Sequence, residues 1–451
     1  MSLDEARSQL AKLVRERMAE LGVPGVAVAV HRDGEEYIDA FGVTNVSHPL
    51  DVDENTLFQV GSTTKTLTAL VALRLVQEGR ADLDEPVKTY LPDLELASLE
   101  VTNHVTLRHL LTHTAGFDGD FFDDFGPGDD ALACCVERMR DLPQVTPLGK
   151  VWNYNNAGFA LAGHVIEAIT GLTFELATRQ VVLEPLGMDH SCYLASEAIT
   201  HGVAVGHATT DAGPTVMTPW QLPRSINPAG GLISSARDQL TYATFHLGDG
   251  TSRDGTRIID HDALVQMRTP QIRADGGRAA HAGISWLIQR TPGVLAHGGS
   301  TIGQESAFVV VPDHGFAITV LTNADRGVVL QREVSKWALR NLVDLERPTN
   351  TQVPAAPDAL DQYVGTYRAA AADVEVARGE RGLEFTVIPR VSITDGPNDP
   401  SPAMPVEMYD GGAFKVLDGP FAPARGDVLR NDDGDLVWLR LQGRVHARIA
   451  G

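Results

Sequence analysis

The sequence predicts an α+β fold followed by a smaller all-β domain. Strand-like runs occur near both ends of the region before Arg347, with helical patterns between them, and helical periodicity disappears after that residue. Strands that flank a helical region and share a domain are expected to join in one antiparallel sheet. We therefore expect a first domain over residues 1–347, a linker over 348–357 that is rich in Pro, Thr and Ala, and a small β-barrel over 358–451.

The chain opens with a predicted helix and a predicted hairpin. Apolar residues recur at helical spacing up to Leu21, and Ser2 with Glu5 fits a capping box at the helix start. Two strand-like runs then flank the turn residues 32–34, which predicts a β-hairpin. A helix followed by a hairpin is consistent with an antiparallel sheet covered by helices.

Later elements follow the same two periodicities. A largely apolar helix is predicted from Ser62 to Glu78. Further helical patterns cover 107–111, 131–140, 158–170, 237–247 and 328–345. Strands are expected at 280–289, 305–312 and 315–322. Short alternating runs of the barrel cover 363–368, 374–377, 383–388, 414–417, 428–430, 436–441 and 444–449.

Composition excludes several classes of function. Lys and Arg number 37 against 59 Asp and Glu, so the net charge of −22 argues against nucleic-acid binding. No apolar run approaches the roughly 18 residues that a membrane helix needs. The N-terminal segment has no apolar core of a secretory signal, so we expect a cytoplasmic protein that does not act at a membrane, with a leader removed ahead of residue 1 as the alternative. The three cysteines form no zinc pattern, and we expect no metal and no other cofactor.

The strongest local feature is Ser62-Thr63-Thr64-Lys65 at the start of the apolar helix. The i, i+3 spacing places the hydroxyl and the amine on one helical face. A helix N-terminus supplies free backbone N–H groups that can stabilise an oxyanion, and an apolar environment disfavours the protonated form of a lysine. The alternative is that Ser62 is an N-cap and Lys65 is solvated.

Two weaker motifs follow in the chain, Tyr154-Asn155-Asn156 and His297-Gly298-Gly299-Ser300. Taken in this order with Ser62 and Lys65, they resemble the fingerprint of the penicillin-recognising serine hydrolases. Tyr-x-Asn and His-x-Gly stand where that fingerprint has Ser-Asp-Asn and Lys-Thr-Gly. These departures resemble the branch of class C β-lactamases, D-aminopeptidases, D,D-carboxypeptidases and family VIII esterases. Supporting segments are 110–117, 185–188 and 228–232.

The resemblance implies a β-lactamase-like domain, with an antiparallel sheet flanked by helices and an all-helical subdomain, followed by a lipocalin-like barrel. It implies that Ser62 is the nucleophile and that Lys65 and Tyr154 share its proton, without deciding which of them is the base. Asn156 would orient Lys65 or the substrate. The oxyanion hole would comprise the backbone N–H groups of Ser62 and Ser300.

Within that branch, the residues favour hydrolysis of small amides or short peptides, D-amino-acid substrates included. His297 and Gly299 resemble the aminopeptidase and esterase members, because a neutral histidine grips an anion less well than lysine. A carboxylesterase on short acyl esters comes second and a β-lactamase third. A scaffold or ligand-binding module with an inactive site is the alternative outside enzymes. The expected partner is a small molecule or short peptide, and self-association into a homo-oligomer stays open.

An acidic segment, 118–130, interleaves aspartates with phenylalanines. It is either a solvated loop whose aromatic rings pack beneath it, or a site entrance at which Asp123 and Asp124 attract an amino group. Two other chemistries fail on spacing. His109 and His113 lack the glutamate of a zinc-protease motif and are interpreted as structural, and no Gly-x-Ser-x-Gly elbow occurs.

Overall fold

An antiparallel sheet of eight strands, formed by the described part of the chain, carries the first domain. The computed structural model describes residues 3–274, 277, 279–348, 352–380, 382–390 and 399–449. Strands before the barrel are β1 (Gly25–Arg32), β2 (Glu35–Gly42), β3 (Phe58–Gln59), β4 (Ser191–Cys192), β5 (His207–Thr210), β6 (Gly213–Val216), β7 (Ile233–Ser234), β8 (Ile272–Arg273), β9 (Ala279–Ala282), β10 (Leu287–Gln289), β11 (Leu295–Ser300), β12 (Glu305–Val311) and β13 (Phe316–Thr322). Ser2 of the predicted capping box lies outside the described residues.

The order of the large sheet is β2-β1-β13-β12-β11-β10-β9-β8, with β3-β7-β4 and β5-β6 as separate small sheets. Strand β1 pairs antiparallel with β13, so that Val28 lies opposite Val320. This confirms the prediction that strands from the two ends of the first domain join in one sheet. The predicted single strand 280–289 was wrong: β9 and β10 pair as two short antiparallel strands, and Ser285 between them has a left-handed φ of 67°.

Helices cover both faces of this sheet. They are α1 (Leu3–Leu21), α2 (Thr64–Gln77), α3 (Leu99–His104), α4 (Leu107–Leu111), α5 (Ala131–Arg138), α6 (Asn156–Thr170), α7 (Phe174–Thr178), α8 (Glu184–Leu186), α9 (Ala195–Ala198), α10 (Asn227–Gly230), α11 (Ala236–Leu247), α12 (His261–Arg268) and α13 (Gly327–Val343). In the described chain, no single helix is long and apolar enough to cross a membrane, while the bent pair Asn156–Thr170 and Phe174–Leu186 passes on length and composition.

The alternation of side chains along β1 separates two hydrophobic cores. Val26, Val28 and Val30 pack on one face with α1 and α13. Ala27 and Ala29 point to the other face, where they join the core that contains α2, α6 and α11. Successive residues of a strand point to opposite faces, and small alanines allow the helices to approach closely. The second core therefore surrounds α2, whose first turn carries Lys65.

The tail forms a closed barrel. Its strands are β14 (Gly365–Arg368), β15 (Ala372–Gly379), β16 (Gly382–Pro389), β17 (Met404–Met408), β18 (Ala413–Val416), β19 (Arg425–Arg430), β20 (Leu436–Leu441) and β21 (Arg444–Ile449). Strand β14 pairs with both β15 and β21, which closes the barrel. The predicted barrel is confirmed, although β17 was missed because Pro405 interrupts its short apolar pattern.

Candidate active site

Ser62 lies in a single 3-10 turn, Gly61–Thr63, that leads into α2. Gly61 has a left-handed φ of 54°, a conformation that glycine adopts at little cost. Nearly every residue of α2 is buried, because the helix runs through the larger core. Ser62 is thereby held at the N-terminus of a rigid, buried helix.

Lys65 is completely buried, which excludes the interpretation of a solvated first-turn lysine. Its Nζ makes three hydrogen bonds. The distances are 3.1 Å to Ser62 Oγ, 2.7 Å to Asn156 Oδ1 and 2.6 Å to the carbonyl oxygen of Ala229. The amine is therefore fixed directly beside the hydroxyl.

Burial lowers the pKa of Lys65 well below its ordinary value, and the charge of Arg444 lowers it further, while Asp120 opposes both. A neutral amine has two N–H donors and one lone pair. Since Asn156 Oδ1 and the Ala229 carbonyl are acceptors only, they occupy the two donors. The lone pair is then directed to Ser62 Oγ, where it can accept the hydroxyl proton.

Tyr154 also contacts Ser62, and its ring lies among other aromatic rings. Its ring stacks on His113 with centroids 4.5 Å apart and meets Trp152 edge-on at 6.4 Å. Burial raises the pKa of Tyr154 to about 12, and a hydrogen bond with Ser62 acts in the opposite direction. The phenol therefore stays protonated at neutral pH and is available as a proton donor.

The two asparagines after Tyr154 have different tasks. Asn155 is the N-cap of α6, and its side-chain oxygen accepts from the backbone N–H of Gly158 at 2.6 Å. Asn156, the first helical residue, directs its side chain to Lys65. The cap fixes the helix start and so aims Asn156 at the amine.

Strand β11 runs past the nucleophile at very short range. A Cβ added to Gly299 would lie 1.9 Å from the Val60 carbonyl oxygen and 2.7 Å from the Ser62 nitrogen. One added to Gly61 would lie 2.8 Å from the Ser300 nitrogen. The two glycines therefore allow the backbone amides of Ser62 and Ser300 to lie close together.

His297, on the same strand, is neutral. Its Nδ1 donates to the Gly298 carbonyl at 3.0 Å, so Nε2 carries a lone pair, and that buried atom has no protein partner. Burial lowers its pKa to about 3, and the nearby Lys65 amine contributes in the same direction. The ring lies 6.3 Å from that of Tyr154. His297 thus offers an acceptor beside Tyr154 and no positive charge.

The structure brings all seven predicted site residues into one region, and it adds groups that sequence reasoning missed. Gly61 could have been predicted as part of the site, because it immediately precedes Ser62. Ala229 supplies a backbone carbonyl to Lys65. It belongs to segment 228–232, which resembles the family but did not suggest a contact with Lys65. Nothing in the sequence indicated that Asp120 and Arg444 form an ion pair. His113 was interpreted as structural, and it supports the Tyr154 ring.

The acidic segment divides into two parts. Asp118 accepts from the backbone N–H of Ala370 in the barrel at 2.7 Å, and Asp120 is paired with Arg444. Asp123 and Asp124 are exposed. The rings of this segment, which pack against the larger core, belong to Phe121, Phe122 and Phe125. Attraction of an amino group by the two exposed aspartates stays a prediction.

Taken together, the groups suit acyl transfer. The Ser62 hydroxyl contacts both a base and a protonated phenol, and two backbone N–H groups lie close by. These are the components that nucleophilic catalysis with oxyanion stabilisation requires.

Comparison with known proteins gives the family. Residues 10–339 match the family model described as Beta-lactamase. The chain is 34% identical over 356 residues to penicillin-binding protein 4 of Amycolatopsis lactamdurans, a match that covers 76% of this chain and 93% of the relative.

Two solved structures resemble nearly the whole chain, barrel included. SurE, crystallised with D-Leu, has a TM-score of 0.76 and 25% identity and covers 98% of this chain and 99% of its own. The octameric penicillin-binding protein homologue from Pyrococcus abyssi has a TM-score of 0.66 and 22% identity and covers 96% and 97%, respectively.

Proposed function

The chain belongs to the beta-lactamase family, whose members are serine hydrolases, and we propose that it hydrolyses small amides or short peptides, D-configured ones included, through an acyl-enzyme on Ser62. The observation that carries this proposal is the 3.1 Å contact between Ser62 Oγ and a buried Lys65 amine whose other partners are acceptors. Such a contact matches a nucleophile to a base of low pKa.

In the first step, Lys65 takes the Ser62 proton as Oγ attacks the carbonyl carbon. The carbonyl π electrons move to oxygen, and the backbone N–H groups of Ser62 and Ser300 stabilise the resulting oxyanion. The tetrahedral intermediate then collapses. The bond to the leaving nitrogen breaks as Tyr154 donates a proton to that nitrogen, and the proton on Lys65 restores the phenol.

In the second step, water attacks the ester carbonyl of the acyl-enzyme. Lys65, neutral again, takes one proton from the water, either directly or with the Tyr154 phenol relaying it, and the Lys65 ammonium then returns that proton to Ser62 Oγ as the serine leaves as the hydroxyl. Lys65 is the base in the first half of this scheme, because its lone pair faces Ser62 whereas the Tyr154 phenol is protonated.

Two observations support an amide or peptide substrate over a β-lactam, and a third supports an amide over an ester. The neutral His297 stands where a cation would hold a carboxylate. The guanidinium of Arg444, which lies 4.9 Å from the centre of the Tyr154 ring, is engaged with Asp120 rather than directed to a substrate carboxylate. The unpaired Nε2 of His297 suits a substrate N–H donor, which an amide supplies and an ester does not.

A D-configured substrate is supported by the likeness to SurE, whose structure contains D-Leu. We also propose that the chain self-associates, since the archaeal homologue is described as octameric. Light scattering after size-exclusion chromatography tests the latter, and a monomer at assay concentration would contradict it.

The function is tested with a hydrolysis panel on wild type and Ser62→Ala. The panel contains D- and L-alanine p-nitroanilides, D-Ala-D-Ala peptides, p-nitrophenyl acetate and butyrate, and nitrocefin. We expect D-configured amides to give the highest kcat/KM and Ser62→Ala to abolish turnover. Dominant ester or nitrocefin turnover would overturn the substrate class. Unchanged turnover in Ser62→Ala, or failure of a fluorophosphonate to label Ser62, would overturn the hydrolase and favour a binding module.

A further inference from the structure

The last hairpin of the barrel, β20 and β21, holds the segment that carries Tyr154. Three hydrogen bonds join them: Tyr154 N–H to the Gly443 carbonyl at 2.9 Å, Val445 N–H to Asn153 Oδ1 at 3.0 Å, and Arg440 Nη1 to the Trp152 carbonyl at 2.9 Å. The hairpin turn also packs directly on this segment, since a Cβ on Gly443 would lie 2.9 Å from the Trp152 ring. The barrel is thus in contact with the active site rather than tethered beside it.

The side chain of Arg444, at the start of β21, extends further toward the active site. Its Nε donates to Asp120 Oδ2 at 3.0 Å, and its Nη2 lies 3.4 Å from Asp120 Oδ1. Asp120 Oδ1 accepts from Asn156 Nδ2 at 2.9 Å, and Asn156 Oδ1 accepts from Lys65 Nζ at 2.7 Å. The guanidinium also lies 4.9 Å from the centre of the Tyr154 ring. A continuous chain of hydrogen bonds therefore connects the barrel to the amine beside Ser62.

The direction of this chain is determined by donor chemistry. An ionised carboxylate is acceptor only, so Asp120 requires the NH₂ end of the Asn156 amide. The amide oxygen must then face Lys65, where it occupies one N–H of the amine. Without Asp120, no other member of this chain of hydrogen bonds would fix which end of the Asn156 amide faces Lys65.

We infer that Asp120 and Arg444 are positioning residues of the hydrolase, so that the barrel supplies part of the active site of the first domain. This inference rests on the proposed function, because it assigns these residues an effect on Lys65 as base. The barrel side chain Arg444 acts on the Lys65 amine through Asp120 and Asn156.

The charges around Lys65 give this arrangement a measurable consequence. His113 and His297 are neutral, since burial lowers the pKa of each. Tyr154 is neutral, since burial raises its pKa to about 12. The charged groups that face Lys65 are therefore Arg444, which lowers the pKa of the amine, and Asp120, which raises it.

The test is the pH dependence of Ser62 acylation, followed both as kcat/KM and as the rate of labelling by a fluorophosphonate. In Arg444→Gln, Asp120 raises the pKa of Lys65 unopposed. The acidic limb of the pH–rate profile, which follows that pKa, should therefore move to higher pH by about one unit. At a pH below the wild-type limb, that shift is an approximately tenfold loss of rate. Arg444→Lys keeps the charge and should keep the limb near its wild-type position.

Asp120→Asn should move the acidic limb to lower pH, because the charge that raises the pKa of Lys65 is lost. It should also lower the maximal rate at the plateau of the profile, because the amide of Asn156 loses its carboxylate partner. The double variant Asp120→Asn/Arg444→Gln should have a limb close to that of the wild type, since both charges are absent. Arg448→Gln is the matched control. It removes a guanidinium on the same strand that donates to the Val364 carbonyl at 2.7 Å and lies 5.8 Å from the centre of the Tyr367 ring, and it should leave the profile unchanged.

A purely structural role would give a different result. Loss of activity by the same factor at every pH in Arg444→Gln, with a limb that does not move, would overturn the inference. So would a shift of equal size in Arg448→Gln. If wild-type Ser62 is not labelled at all, the proposed hydrolase fails instead, so the two failures are distinguishable.

Discussion

Substitution of Gly299 by alanine tests how closely β11 must approach the nucleophile. The added Cβ would lie 1.9 Å from the Val60 carbonyl oxygen. Because a carbon and an oxygen in contact rarely come closer than about 3.0 Å, the strand would have to move back by about 1.1 Å. That movement carries the backbone N–H of Ser300 away from the oxyanion position.

Loss of one oxyanion donor costs about 10²–10³ in kcat. The oxyanion exists only after attack, so we expect Gly299→Ala to lower kcat by that factor with little change in KM. Steady-state kinetics on the best amide of the panel measures both parameters. Gly202→Ala is the matched control, because a Cβ there has no neighbour within 4 Å. A folded Gly299→Ala protein with wild-type kcat would refute the assignment of Ser300 N–H to the oxyanion hole.

Three further predictions concern charge. First, kcat/KM should fall as pH drops through the lowered pKa of Lys65, because the protonated amine has no lone pair, and should hold on the alkaline side until pH approaches about 12, the pKa of Tyr154. Second, Asp123→Asn/Asp124→Asn should raise KM for substrates with a free amino group by about two- to fivefold, the range of exposed charge interactions. Third, Arg440→Met removes one partner of the buried ion pair with Asp427 in the barrel and should lower the free energy of unfolding in urea by about 3–5 kcal/mol.

Each of these has a result that would contradict it. Activity that persists unchanged at acidic pH would show that a neutral Lys65 is not required. For the aspartate pair, acylated substrates without an amino group are the control, and an equal rise in KM for both kinds would indicate a structural effect. For Arg440→Met, an unfolding midpoint equal to that of the wild type would show that the pair with Asp427 contributes little.

Local chemistry in the chain was sufficient to predict the centre of the site. Ser62 and Lys65 are close in sequence and lie on one turn, so helical spacing alone places them together. Tyr154 and His297 carry no such local signal, and their placement beside Ser62 was implied by the order of the motifs. Short apolar runs likewise predicted β1 and β12, and short alternating runs predicted the barrel.

Contacts between distant segments could not be predicted. Asp120 and Arg444 are 324 positions apart, and each belongs to a pattern with an ordinary surface interpretation. The acidic segment suggested an entrance for substrate, whereas Asp118 and Asp120 are used by the barrel. The two short strands within residues 280–289 were also missed, because the reversal at Ser285 falls between the apolar residues Ile284 and Trp286.

The most direct test of the central claim is to trap the acyl-enzyme. Wild-type protein mixed with the best substrate of the panel is quenched in acid, digested and measured by mass spectrometry, with Ser62→Ala as control. The mechanism predicts the acyl mass on the peptide that contains Ser62 and its absence in the variant. An adduct on another residue, or turnover that continues in Ser62→Ala without any adduct, would contradict it.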